Sequence, residues 1–190
     1  MRSDTKSALL DLAERAARSR GFDGFSYADL ADAIGMRKAS IHYHFPTKAA
    51  LSAAMMDRYS DGIAAQCKAI DDQNDTAAAR LSGLIALYRD ALQGGKTLCL
   101  CVSLTISRES LSAEVTGKIN IFRTQVIQWI EAVFILGSQD GSIANLGDPA
   151  QEAPATLALL EGAHLAARAA EDIAVFDRAT DALRARCQPP

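Results

Sequence analysis

No apolar run in this chain reaches the roughly 18 residues of a membrane-crossing helix. The opening Met-Arg-Ser-Asp-Thr-Lys leads into an amphipathic pattern, not the apolar block of a signal peptide. Both absences predict a cytoplasmic protein with no membrane partner. In such a compartment the four cysteines, Cys67, Cys99, Cys101 and Cys187, read as free thiols and not as a disulfide framework. No second Cys/His pair stands at zinc spacing to Cys99 and Cys101, and His42, His44 and His164 form no metal motif. No phosphate loop, internal repeat or nucleophile–base pair is visible, and Glu109, Glu114 and Glu131 read as solvated charges. The expectation is a protein that is not an enzyme and carries no cofactor. β-Branched runs are few while alanine is abundant, which favours helix throughout.

Charge is also scarce as a net quantity, −3 over 190 residues. It is unevenly spread: residues 1–60 carry nine Lys/Arg against seven Asp/Glu, and the remainder eleven against sixteen. A mildly basic head on an acidic body suits a nucleic-acid-binding head joined to a part with another task.

The apolar spacing predicts helices along the whole chain. Leu9, Leu12, Ala13, Ala16 and Ala17 mark the first, over about 4–20, with Ser3 or Asp4 as its cap and Gly21 as its stop. Phe22 and Phe25 fall in the following loop and plug a small core. Ser26 caps a second helix with Asp29 as its capping-box partner, and Leu30, Ala31 and Ile34 form the buried face. A third helix covers 37–44 and ends at Pro46. Thr47 caps a long fourth, from Lys48 to about Asp71, striped by Leu51, Met55, Tyr59 and Ile63. A fifth runs over about 76–93. The apolar stretch Leu98–Ile106 has no partner strand and reads as a buried helix. A long helix is expected over 112–136, a loop over 137–149, and two final helices over about 150–170 and 172–186.

The segment Met36-Arg-Lys-Ala-Ser-Ile-His-Tyr-His-Phe-Pro-Thr-Lys48 carries most of the chemistry. Met36, Ile41 and Phe45 are spaced to anchor one face of a short helix. The other face gathers cations, imidazoles, a phenol and hydroxyls, a set suited to polyphosphate. With Tyr27–Ile34 and Gly35 ahead of it, this is a helix-turn-helix pattern. The residues Gly21-Phe22, Phe25-Ser26-Tyr27, Leu30-Ala31, Ile34-Gly35, Lys38 through Lys48 and Leu51 are similar to those of TetR-family transcriptional regulators of the TetR/AcrR type. Beyond residue 51 the resemblance is architectural. His42 stands where the family usually has tyrosine, and Arg37 where it has a small hydroxyl residue that would cap the helix.

The resemblance implies an all-α fold of about nine helices. A helix-turn-helix DNA-binding domain over 1–47 precedes a helical ligand-binding and dimerisation domain over 48–190. It also implies that the third helix enters the major groove of an operator. Arg37, Lys38, Ala39, Ser40 and Tyr43 then face the bases, His42 and His44 act as further donors, and Lys48, Ser26 and Tyr27 contact flanking phosphates. Packing is the alternative for His42 and His44, and capping alone for Ser26.

A reader of one half-site makes few contacts, so the body is expected to supply a two-fold interface. The candidates are Leu157, Leu160, Gly162, Ala163, His164, Ala166, Ala167 and Ala170 on one helix, with Phe176 and Leu183 on the next; an intramolecular core is the alternative. Leu84, Tyr88, Cys101, Thr105, Phe122, Gln125, Val126 and Trp129 mix apolar groups with a few polar handles, which suits either a small-molecule pocket or a plain core. The predicted function is a dimeric, bacterial, nucleoid-associated repressor released from a palindromic operator by an apolar or amphipathic effector. In a second reading Cys99 or Cys101 senses oxidants or electrophiles, although two positions apart on a helix they point about 200° from each other, against an internal disulfide. A helical thiol enzyme is more remote.

Overall fold

The computed structural model describes residues 2–187, with side chains from residue 5. Among these residues nine α-helices follow one another: α1 (Arg2–Arg20), α2 (Tyr27–Ile34), α3 (Lys38–His44), α4 (Lys48–Gln73), α5 (Ala77–Ala91), α6 (Leu100–Ile106), α7 (Ala113–Asp140), α8 (Pro149–Ala170) and α9 (Ile173–Ala185). The expected cap at Ser3 or Asp4 lies outside the described side chains. Thr76 caps α5 by accepting the Ala79 N–H, and Asp148 and Asp172 cap α8 and α9 in the same way through the N–H groups of Ala150 and Ala174. Pro149, at the first turn of α8, gives up only an N–H that the helix leaves unpaired there. The helix expected to end at 136 continues one turn further, to Asp140.

The chain divides into two compact units, Met1–Asp61 with Leu100–Ile121, and Gly62–Cys99 with Phe122–Pro190. The helices α4 and α7 are each continuous through this division, which differs from a boundary at residue 47. The cause is α6. Its apolar run needs a partner and finds it on α1, where the Ser103 hydroxyl donates to the Ala17 carbonyl at 2.5 Å. In the first unit Leu9, Ala13, Phe22, Leu30, Ile41, Phe45 and Leu51 form the buried core. Arg58 of α4 pairs with Asp11 (2.6 Å) and Glu14 (2.8 Å) of α1, and Lys118 of α7 with Asp57 (2.6 Å).

In the second unit α8 packs along α9, and both meet α5. This corrects part of the expected two-fold interface. Leu157, Leu160, Ala163, His164, Ala167, Phe176 and Leu183 are buried within their own chain, because the most apolar stripe of each helix goes first to the protomer's core. Gly162, Ala166 and Ala170 stay exposed. His164 is fully buried: its Nδ1 accepts the Cys99 N–H (3.3 Å) and its Nε2 lies 2.7 Å from the Tyr88 carbonyl. One partner can only donate and the other only accept, so the imidazole is neutral with its proton on Nε2. The rings of Tyr88 and Phe176 meet it edge-on, with centroids at 5.2 and 5.6 Å.

By length and composition α7 is apolar enough to cross a membrane. Its buried stripe of Val115, Ile119, Phe122, Val126, Ile130, Val133 and Phe134, set against exposed Gln125 and Gln128, is that of a core helix.

Candidate nucleic-acid interface

The first unit presents its chemistry on α3. Ser26 opens the preceding helix with a capping box. Its hydroxyl donates to Asp29 Oδ2 (2.8 Å), its backbone N–H donates to the same oxygen (2.6 Å), and it accepts the Asp29 N–H (3.4 Å). The Ser26 hydroxyl and N–H hold the exposed Asp29 carboxyl below its ordinary range. At the other end Gly35 takes the left-handed conformation (φ 70°), and the Met36 N–H returns to the Ala31 carbonyl at 3.0 Å. The chain thereby turns sharply into α3, at a position an L side chain would strain. Arg37 occupies the N-cap of α3 without a side-chain cap bond, as expected for a residue lacking a short oxygen acceptor.

Ile41 is fully buried, Phe45 nearly so and Met36 half-buried, so the predicted anchoring face is in place. Arg37, Lys38, Ala39, His42 and Tyr43 are exposed on the other side, and Ser40 and His44 half-exposed. Tyr43 leaves 71% of its surface in solvent. Met36, Arg37, Ala39, Ser40, Tyr43 and His44 line an open hollow together with Thr5 of α1. Lys6 of α1 lies 5.6 Å from the Phe45 ring centroid. Thr5 and Lys6 escaped sequence reasoning because their nearness to α3 is tertiary and leaves no local signal.

Two predicted contacts turn inward. Tyr27 is only 6% exposed, and its hydroxyl donates to the Phe45 carbonyl at 2.9 Å; burial pushes the phenol up to about 12. Lys48 Nζ donates to the carbonyls of Phe22 (2.5 Å) and Phe25 (2.6 Å) and stands 4.3 Å from the centroid of each of their rings. Burial lowers the Lys48 amine, with Asp23 and Asp29 acting in the opposite direction. His42 Nδ1 lies 3.2 Å from the Pro46 carbonyl, which fixes that nitrogen as the N–H, and the ring meets Tyr27 edge-on at 4.8 Å. Thr47 caps α4 through the Ala50 N–H (3.0 Å).

The residues expected to line an effector pocket are divided between the two units. Cys101 and Thr105 belong to the first unit and the other six to the second. Leu84, Tyr88, Phe122 and Val126 are buried, whereas Gln125 is exposed. The Thr105 hydroxyl is spent on the Cys101 carbonyl (2.8 Å), and the Trp129 indole N–H on Asp71 (2.9 Å), whose other oxygen lies 3.1 Å from Arg80. Cys99 and Cys101 are buried and not joined in a disulfide.

These features define an all-helical protein with an N-terminal helix-turn-helix head. The family model of the bacterial regulatory proteins of the TetR family matches residues 9–55. A TetR-family transcriptional regulator from Agrobacterium tumefaciens superposes with a TM-score of 0.92 at 25% identity, over 98% of this chain and 99% of that one. A TetR regulator from Legionella pneumophila does so with 0.84 at 25% identity, over 94% and 95%. The HTH-type transcriptional regulator TtgR of Pseudomonas putida is 25% identical over 96 residues, 50% of this chain and 46% of that protein, so the match spans about half the length of that relative. The N-terminal head thus matches the TetR family model, and the described chain is similar in fold to TetR-family regulators.

Proposed function

We propose that the chain is a dimeric DNA-binding transcriptional regulator that reads an inverted-repeat operator through α3 and is released from it by a small apolar or amphipathic effector. The observation that carries this reading is the division of α3. A seven-residue helix is anchored by Ile41 and by Phe45 just beyond it, while it exposes Arg37, Lys38, Ala39 and Tyr43. A helix with two cations at its start, a small residue allowing close approach and a projecting phenol suits a major groove. His42 adds an exposed imidazole whose Nδ1 is already committed, leaving Nε2 to face a ligand. Ser26 keeps an exposed hydroxyl at the start of α2 and stays a phosphate contact in this reading; Tyr27 and Lys48 do not.

For the dimer, the support is the outer face of α8. Ala155, Ala158, Leu159, Gly162, Leu165 and Ala166 recur at helical spacing and are exposed, with Leu159 at 38% and Leu165 at 43%. Small and aliphatic residues in such a row permit close approach of a second copy. The likeness to TetR-family regulators supports repression, an effector acting on the helical body, and a place on the bacterial nucleoid in the cytoplasm.

The test is selection from a random-core duplex library with the full-length protein. An inverted repeat should emerge, bound with an affinity that falls steeply as salt rises. Recovery of no preferred duplex, or a salt-insensitive interaction, defeats the reading.

A further inference from the structure

We propose that Tyr27 and Lys48 form a crossed clasp that sets the angle of α3 and thereby its sequence discrimination, with Lys48 a positioning residue and not a phosphate ligand. This inference rests on the DNA-binding reading of the head. The two side chains bridge the same pair of corners in opposite directions. Lys48, the first residue of α4, reaches back to the carbonyls of Phe22 and Phe25 in the α1–α2 corner. Tyr27, the first residue of α2, reaches forward to the carbonyl of Phe45 in the α3–α4 corner.

Between these corners lies α3, which buries only Ile41 among its seven residues. One side chain fixes the depth of so short a helix but leaves its rotation loosely set. The corners must supply the rest. An ammonium has three N–H donors, and two of those of Lys48 are directed to backbone carbonyls. The two phenylalanine rings flank the same cation at 4.3 Å, a geometry of mutual attraction. A lysine so enclosed has few donors left for phosphate. The Tyr27 ring also meets His42 on the exposed side of α3, so the clasp touches the recognition helix directly.

The experiment uses the full chain with two duplexes of equal length, one recovered by the unaltered protein from a random-core pool and one of random sequence. Binding to each is measured across a salt series for Tyr27→Phe, Lys48→Arg and Lys48→Met, at a temperature where melting curves show each variant folded. Arginine keeps the charge but not the compact three-donor head that fits between two rings. Tyr27→Phe and Lys48→Arg should each weaken the selected duplex by roughly tenfold. Neither should change affinity for the random duplex or the salt slope. The proposal is overturned if Lys48→Arg binds normally while Lys48→Met weakens both duplexes and lowers the slope by about one per head, the signature of a lost phosphate contact. It is equally overturned if all variants discriminate as the unaltered protein does. Should Lys48→Met fail to fold, Tyr27→Phe and Lys48→Arg still decide the matter. If the unaltered protein recovers no duplex, the DNA-binding reading falls first.

Discussion

An aromatic ring left 71% exposed on a seven-residue helix keeps apolar surface in water that a core position would have removed. In the proposed reading, such a residue on the free face of α3 is kept for what it meets when DNA is bound. Tyr43→Ala should therefore leave thermal unfolding within about 0.5 kcal/mol of the parent, as for surface substitutions generally. It should also weaken binding to the selected duplex by roughly tenfold or more, the scale of one lost base contact. An unchanged Kd in a gel-shift titration removes Tyr43 from the interface. Arg37→Ala and Lys38→Ala probe charge: each that contacts phosphate lowers the salt slope by about one. Asp29 gives the head a pH dependence. Its folded carboxyl titrates below the ordinary aspartate range because Ser26 bonds the ionised form. The stabilisation is thus fully present above the unfolded value and lost as pH falls through the lowered folded one. Asp29→Asn should therefore lower the melting temperature at neutral pH and converge with the parent in acid, which flattens the acid limb of the profile. Parallel acid limbs in the two proteins count against this.

At the scale of elements, the signals that proved legible are local. Ser26 with Asp29, Gly35, Pro46 and Thr47 mark ends by chemistry that needs only three or four neighbours, and every one of these ends lies where the sequence places it. Of the apolar run at 98–106, residues 100–106 form a helix while Leu98 and Cys99 stay outside it, and only tertiary packing on α1 explains why that helix forms a unit with the head. What stayed illegible is which stripe of α8 faces where. Leu157, Leu160, Ala163 and Ala167 keep a clean helical period, but a period does not distinguish the protomer's own core from a partner's surface. Tyr27 and Lys48 show the same limit, since a polar group at a helix start looks identical whether it points at phosphate or at a carbonyl 18 or 26 residues away. His164 is the sharpest case: a buried histidine whose two nitrogens join the Tyr88 carbonyl and the Cys99 N–H to α8. His164→Phe preserves volume but orphans both backbone groups. It should cost about 2 kcal/mol or more in denaturant unfolding, at about 1–3 kcal/mol for each unpaired buried group. A loss under about 0.5 kcal/mol means that water or a rearranged loop satisfies them.

For the whole molecule, the proposed reading requires one short helix per chain to gain enough contacts to hold an operator. In that reading two chains double the phosphate and base contacts and impose the two-fold symmetry that an inverted repeat matches. The outer face of α8 is suited to join them, because Gly162 is exposed with open space around its Cα and is flanked by Ala158, Leu159, Leu165 and Ala166. A charge placed there meets water in a lone chain but a desolvated apolar surface in a dimer. Gly162→Glu and Leu165→Lys should therefore shift sedimentation equilibrium from dimer to monomer while far-ultraviolet dichroism keeps its helical signal. Leu160→Ala supplies the contrasting case. Leu160 is fully buried in the protomer, so its truncation should cost about 2–5 kcal/mol of stability, whatever it does to association. Monomeric Gly162→Glu should retain affinity for a single half-site duplex and lose most of its advantage on the full repeat, because the second contact set is no longer tethered to the first. If Gly162→Glu and Leu165→Lys remain dimers, the α8 face is solvent surface and the two-fold contact lies elsewhere. If they become monomers yet bind the full repeat as tightly as before, dimerisation is not the source of operator affinity.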